Sequence, residues 1–359
     1  MSTGEAAYTS IHQGIVPGYL LARLARSERY PKAAEAARQT LIAGRPAFHS
    51  ALELSIDESG ALVAEVTSAP TRTIFDAQNT ETLPGMVVRT EDDEPVADAT
   101  VNEAFDGLGA TFRMLLEAFE RDSLDGAGAP LNATVHYGED YDNAFWDGSR
   151  MVFGDGDGEV FVGFTRSVSV IGHELGHGVI QSTAGLVYRD QSGALNESIA
   201  DVLGALTEQH LLGQSAEDAS WLVGEGIFTD AVQGRALRSM IEPGTAYDDD
   251  ELGKDPQPGH MRDYVQTVED NGGVHINSGI PNRAFALAAK TIGGPAWEGA
   301  GLAWYRTLTG DLSSTADFTE FAQKTISAAA GIGATVESAV RDAWIAVGVI
   351  DGARDREPR

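Results

Sequence analysis

Apolar positions change their period several times along the chain, and each change marks an element. Near the start, Leu20, Leu21 and Leu24, then Ala33, Ala36, Ala37 and Leu41, recur at the spacing of one helix face. Pro17-Gly18 opens this stretch and Gly44-Arg45-Pro46 closes it, so a pair of helices is predicted there. Over residues 50–70 the period drops to two (Ala51, Leu52, Leu54, Ile56, then Leu62, Val63, Ala64, Val66), the pattern of a short hairpin turning at Ser59-Gly60. Strand runs follow at Thr73-Ile74-Phe75, Met86-Val87-Val88, Thr134-Val135-His136-Tyr137 and Arg150-Met151-Val152-Phe153. One helical stretch, Val101 to Arg121, interrupts them. After about residue 195 the pattern is mostly helical, with Gly and Pro breaks. Strands first and helices later predict an α+β fold whose C-terminal half is α-helical.

Composition narrows the functions. With 359 residues and 42% apolar side chains, a globular chain of two to three domains is expected. No run of 18 apolar residues occurs, so no membrane-spanning helix is expected. Acidic residues number 54 against 25 basic, a formal charge of −29. That balance argues against nucleic acid and anionic membranes as partners, and fits a self-repelling monomer. The charge is uneven: residues 1–49 carry Arg23, Arg26, Arg29, Lys32, Arg38 and Arg45 against only Glu5, Glu28 and Glu35. A basic segment ahead of an acidic body predicts docking of one on the other. The absence of cysteine excludes disulfides, thiolate metal sites and cysteine nucleophiles. The N-terminus lacks a basic start followed by an apolar core, so no ordinary secretory signal is read. Cytoplasmic synthesis is expected, with any export by an unconventional route.

The chemistry concentrates in Val168-Ser169-Val170-Ile171-Gly172-His173-Glu174-Leu175-Gly176-His177, which contains His-Glu-x-x-His. On a helix, residues four apart share a face, so both imidazoles can reach one zinc ion. Glu174 follows the first histidine and suits a general base facing water at the metal. A catalytic zinc needs a third protein ligand and an open position. Glu197, within Asn196-Glu197-Ser198-Ile199-Ala200-Asp201, is the natural third ligand on a second helix. Asn196 and Asp201 can accept hydrogen bonds from the distal ring nitrogens. A third cluster, Asp270-Asn271-Gly272-Gly273-Val274-His275, pairs a histidine with an acid that can orient it.

These residues resemble the thermolysin family of zinc metallopeptidases. The resemblance runs in order through Asn143-Ala144-Phe145-Trp146, Gly154-Asp155-Gly156-Asp157-Gly158, the His173–His177 motif, Gly193-Ala194-Leu195-Asn196-Glu197, Ala236-Leu237-Arg238, the His275 cluster and Ala343-Trp344-Ile345-Ala346-Val347-Gly348-Val349. It implies a two-domain architecture: a β-rich α+β half over 72–187 ending with the active-site helix, and an α-helical half over 188–352. It further implies His173, His177 and Glu197 as zinc ligands and Glu174 as base. Tyr188 and His275 would bind the oxyanion, with Asp270 fixing the imidazole. Arg238 would bind a carbonyl just past the cut, and Asn143 with the Ala144 backbone would hold the peptide. The pocket past the cut would be lined by Phe161, Phe164, Val170 and Leu237, with Val223 and Ile227 beside them, and would accept a bulky apolar side chain. Phe164, at a position usually held by leucine, would make it shallower.

Two departures matter. The family's paired calcium site corresponds here to Ser169, Glu208, Ser220, Leu222 and Glu225, of which two are acidic. The double site is expected to be absent, with at most one calcium at Glu208 and Glu225. The run Asp248-Asp249-Asp250 is expected to be a solvated charge cluster. Second, Val16-Pro17-Gly18-Tyr19-Leu20-Leu21 is similar to the short pro-segment of the protealysin branch, with Gly18 replacing a proline. That implies residues 1–50, extending towards 70, as an inhibitory pro-segment acting in cis. Peptides and proteins would be the substrates. The competing reading is a degenerate peptidase fold that binds peptides without cutting, for which Glu174 would serve nothing.

Overall fold

The N-terminal helix pair forms as its periodicity demands, and its apolar face is covered by the rest of the chain. In this computed structural model, which describes residues 14–43 and 69–351, α1 spans Gly18–Leu24 and α2 spans Pro31–Ala43. Leu20, Leu21, Leu24, Ala33, Ala36 and Ala37 are buried. Pro31 takes the first helical position, where a missing N–H costs nothing. The next two amides, of Lys32 and Ala33, donate to Glu159 Oε2 at 2.9 and 3.0 Å. A body carboxylate thus caps the positive end of α2. The hairpin expected at Ser59-Gly60 lies outside the described residues.

Five short strands make one mixed sheet. They are β1 Arg72–Asp76, β2 Met86–Thr90, β3 Leu131–Val135, β4 Ala144–Trp146 and β5 Met151–Phe153, in the order β2-β1-β3-β5-β4. β1, β3 and β5 run parallel, while β2 and β4 pair antiparallel at the two edges. The long helix α3, Ala99–Phe119, is capped by Asp98, which accepts from Thr100 N–H at 2.9 Å. It packs its apolar stripe against the sheet.

Two helices carry the site, α4 Val168–Gln181 and α5 Asp190–Leu212, and they make the most extensive helix pairing in the fold. Small residues allow the approach: a Cβ on Gly172 would stand 2.9 Å from Gly204 Cα, and one on Gly204 would stand 2.3 Å from Ser169 O. The backbones could not sit this close with larger side chains. Beyond α5 come two small hairpins, β6 Leu222–Val223 with β7 Arg238–Ser239, and β8 Asp248–Asp249 with β9 Gly253–Lys254. The helical half continues with α6 Asp270–Asn277, α7 Gly279–Ile292, α8 Leu302–Leu308, α9 Phe318–Ala330 and α10 Ala334–Ala346. Phe285, Trp304, Phe321 and Trp344 form its aromatic centre. This is the expected α+β, two-part architecture. Among the described residues no helix is long and apolar enough to cross a membrane.

The acidic run corrects one expectation. Asp248 and Asp250 are exposed, but Asp249 is buried. Its carboxylate accepts the amides of Gln233, Glu251 and Leu252 at 2.8 to 3.0 Å, so it organises a turn rather than facing water.

Candidate metal centre and peptide cleft

Helix spacing puts His173 and His177 on one face of α4, opposite Glu197 on α5. His173 Nδ1 lies 2.7 Å from Asp201 Oδ1, and His177 Nδ1 lies 2.8 Å from Asn196 Oδ1. Both partners are acceptors, which fixes the ring protons on Nδ1. The two Nε2 lone pairs then face each other across 3.2 Å. Glu197 completes the group, with Oε2 3.5 Å from His173 Nε2 and Oε1 3.5 Å from His177 Nε2. Glu197 Oε2 is buried and has no hydrogen-bond partner. Two facing lone pairs and an orphaned buried carboxylate oxygen repel one another unless a cation sits between them. The three donor atoms lie within 4.8 Å of one another, and the His-His-Glu set suits zinc. Burial alone would lift the Glu197 carboxyl, but His275, His173, His177 and Arg238 outweigh it and bring it to about 2.

The remaining expected residues converge here as well. Glu174 is buried, and its Oε2 accepts the Trp146 amide of β4 at 2.9 Å. The Tyr188 hydroxyl donates to Glu197 Oε1 and lies 3.2 Å from His275 Nε2. Burial, reinforced by Glu197, holds this phenol well above its ordinary value, so it stays a donor. His275 Nδ1 lies 2.6 Å from Asp270 Oδ1, and Asp270 Oδ2 accepts the His275 amide at 2.9 Å. Burial depresses the imidazole, but Glu197 and Asp270 outweigh that and lift it to about 9. A left-handed turn aims the pair: Asp270, Asn271, Gly272 and Gly273 all have φ between 51° and 88°. The glycines take this region freely, while Asp270 and Asn271 are held there against their preference.

Arg238 divides its donors between two partners. Its Nε and Nη2 grip Asp201 at 2.9 and 2.8 Å, and only Nη1 is left for a peptide carbonyl. That carbonyl is Ile15 O, at 3.1 Å. Ile15 N–H donates to Ala144 O at 3.0 Å. Val16 N–H donates to Asn143 Oδ1 at 2.9 Å, and Asn143 Nδ2 donates to Val16 O at 3.1 Å. The N-terminal segment therefore lies on the edge strand β4 through the residues expected to hold a peptide. Ile15 and Val16 share one continuous apolar cluster with Phe161, Phe164, Val170, Val223, Ile227 and Leu237.

Three contributors escaped sequence reasoning. Asn282 on α7 donates from Nδ2 to Asp201 Oδ2 at 2.8 Å. Gln257 Nε2 donates to His275 O at 2.7 Å. The Trp146 amide on Glu174 acts through backbone and leaves no side-chain mark. At the candidate calcium position Leu222 is buried, Glu225 lies 3.7 Å from Arg235, and Glu208 is raised, chiefly by burial and further by Glu225.

The comparisons with known proteins bear on this geometry. Residues 51–181 match the profile described as thermolysin metallopeptidase, catalytic domain, and residues 184–349 match thermolysin metallopeptidase, alpha-helical domain. The chain belongs to the thermolysin family of metallopeptidases. As such it is a metalloendopeptidase. Members of the family use a catalytic zinc, and this one offers His173, His177 and Glu197. It is 53% identical over 280 residues to the "Extracellular metalloprotease" of Pectobacterium carotovorum subsp. carotovorum, covering 77% of this chain and 81% of that one. It is 52% identical over 290 residues to "Protease PrtS" of Photorhabdus sp. (strain Az29), covering 80% and 78%. Among solved structures, the precursor of protealysin, a metalloproteinase from Serratia proteamaculans, superposes with a TM-score of 0.86 at 47% identity. That match covers 94% of this chain and all of the other.

Proposed function

We propose that this thermolysin-family member is a zinc endopeptidase made as a precursor, with residues 1–50 as a pro-segment blocking its own cleft. One observation carries the reading: Ile15 and Val16 occupy Ala144, Asn143 and Arg238, beside the His-His-Glu group. In this reading residues 72–187 and 188–352 are the two catalytic halves, and the cleft runs between them.

Zinc held by His173, His177 and Glu197 would supply Lewis acidity at the cut. Glu174 takes the proton of the attacking water and passes it to the leaving amine. Tyr188 and His275 donate to the scissile oxygen as it gains charge, and Asp270 keeps the imidazole aimed. The substrate adds to β4 as a strand, gripped by Ala144 O, the Asn143 amide and Arg238 Nη1. Ile15 presents its carbonyl to Arg238, so it stands where the residue after the cut would stand. The apolar lining from Phe161, Phe164, Val170 and Leu237 favours a bulky apolar side chain there, branched aliphatic ahead of Phe. The proposal includes one calcium at Glu208 and Glu225, whose mutual repulsion a dication would relieve. Relatives named extracellular support action outside the cell.

The test is hydrolysis of a denatured protein by the zinc-loaded full chain. We expect a lag, then chelator-sensitive cleavage, with a shortened product whose new N-terminus lies beyond the pro-segment. Glu174→Ala should lower the rate by about 10²-fold or more. Equal hydrolysis by parent and Glu174→Ala would refute the assignment.

A further inference from the structure

We infer that Asn282 is a positioning residue, which aims the Arg238 clamp at its carbonyl by fixing the Asp201 carboxylate. The inference rests on the reading of Arg238 given above. Asp201 is fully buried and accepts four hydrogen bonds, two on each oxygen. His173 Nδ1 and Arg238 Nη2 share Oδ1 at 2.7 and 2.8 Å. Arg238 Nε and Asn282 Nδ2 share Oδ2 at 2.9 and 2.8 Å. The four elements α4, α5, β7 and α7 thus meet at one carboxylate.

Asn282 differs from the other donors. It is uncharged and fully buried, and its side-chain amide donates to Asp201. Its Oδ1 has no hydrogen-bond partner, so the Nδ2 contact is the one its amide makes in this buried site. The torsion that turns a carboxylate about its Cβ–Cγ bond is broad. His173 and Arg238 Nη2 hold one oxygen, and Asn282 pins the plane by adding a second donor to the other. That plane sets the guanidinium, because Arg238 meets it through a planar two-pronged grip. The guanidinium in turn directs Nη1, which lies 3.1 Å from Ile15 O. A change at Asn282 therefore reaches the peptide two contacts away.

The contact at the carbonyl is made before and during reaction alike, so its loss raises KM more than it lowers kcat. The experiment uses the zinc-loaded full chain after self-processing, with two substrates. One has leucine amide after the cut. The other has isopentylamine there, which keeps the branched alkyl group but lacks the carbonyl. For Asn282→Leu we expect KM to rise about tenfold on the first substrate and to stay within about twofold on the second. Asn282→Asp, which keeps the shape and replaces the donor, should separate the substrates in the same direction and decides the matter if the leucine variant does not fold. Arg238→Leu is the reference. If Arg238→Leu treats both substrates alike, the carbonyl clamp itself is wrong. If Arg238→Leu separates them and the Asn282 variants shift both equally or neither, the clamp stands and the role of Asn282 is overturned.

Discussion

The zinc-ligand helices and the N-terminal helix pair are both packed on apolar faces, but their polar contacts differ in kind. Around α4 and α5 the charges are buried and face one another: Asp201, Arg238, His173 and Glu197 are each at most 2% exposed. Between α1–α2 and the body, charges meet at the rim. Lys32 pairs with Asp140 at 3.0 Å while its side chain is 52% exposed, and Arg23 Nε reaches only the Glu251 carbonyl, at 3.0 Å. Buried charges cannot be separated without leaving one unpaired, whereas rim charges return to water at little cost. The first region resists separation, whereas the rim contacts of the second break at little cost, as its proposed role as a removable pro-segment requires.

Four substitutions sharpen that contrast. The largest effect is expected for Asp201→Ala, which strands the Arg238 guanidinium in the interior. It should cost about 3–5 kcal/mol in denaturant unfolding and lower zinc content by metal analysis. Next is Leu21→Ala in α1. The side chain is fully buried, so about 2–5 kcal/mol of docking is lost. The expected readout is a shorter lag before peptide hydrolysis, with the unfolding midpoint of the processed protein unchanged. An unchanged lag would mean that α1 does not hold the cleft shut. Lys32→Ala should shift docking by less than about 1 kcal/mol, and that small difference should shrink in high salt.

A last effect depends on pH. His136 lies 2.9 Å from Asp98 Oδ2 and 2.8 Å from Asp155 Oδ2. The hydrogen bond to Asp155 is foremost in lifting its pKa to about 9, against burial, with Asp98 adding to it. A raised histidine stabilises the fold fully below its unfolded value near 6.5 and loses that contribution as pH climbs through about 9. His136→Ala should therefore lower the unfolding midpoint at pH 6 and matter less at pH 10. A pH-independent difference would show that packing, not charge, is what His136 supplies.

Legibility followed distance along the chain. His173 and His177 are four residues apart, so helical geometry alone sets them on one face. The strands around Ile74, Val135 and Val152 were marked by β-branched runs, and α3 by its apolar period. Asn282 and Asp201 are 81 residues apart, and no local pattern joins an asparagine on α7 to a carboxylate on α5. Asp249 was misjudged for a related reason. Three acids in a row look solvated, and only the fold shows that the middle one turns inward to collect three amides. The family resemblance supplied the roles of Tyr188, Arg238 and His275, which spacing could not.

The edge of β4 has room for one strand at a time. In the proposed reading, guard and substrate compete for the same amide and carbonyl groups, and the guard wins while both belong to one chain. Membership of one chain, on that reading, holds guard and cleft together at an effective concentration on the order of millimolar. Once the connection between α2 and β1 is cut, the same contacts must survive at the bulk concentration of the protein. On that proposal, dilution would be the activating signal, and crowding the brake.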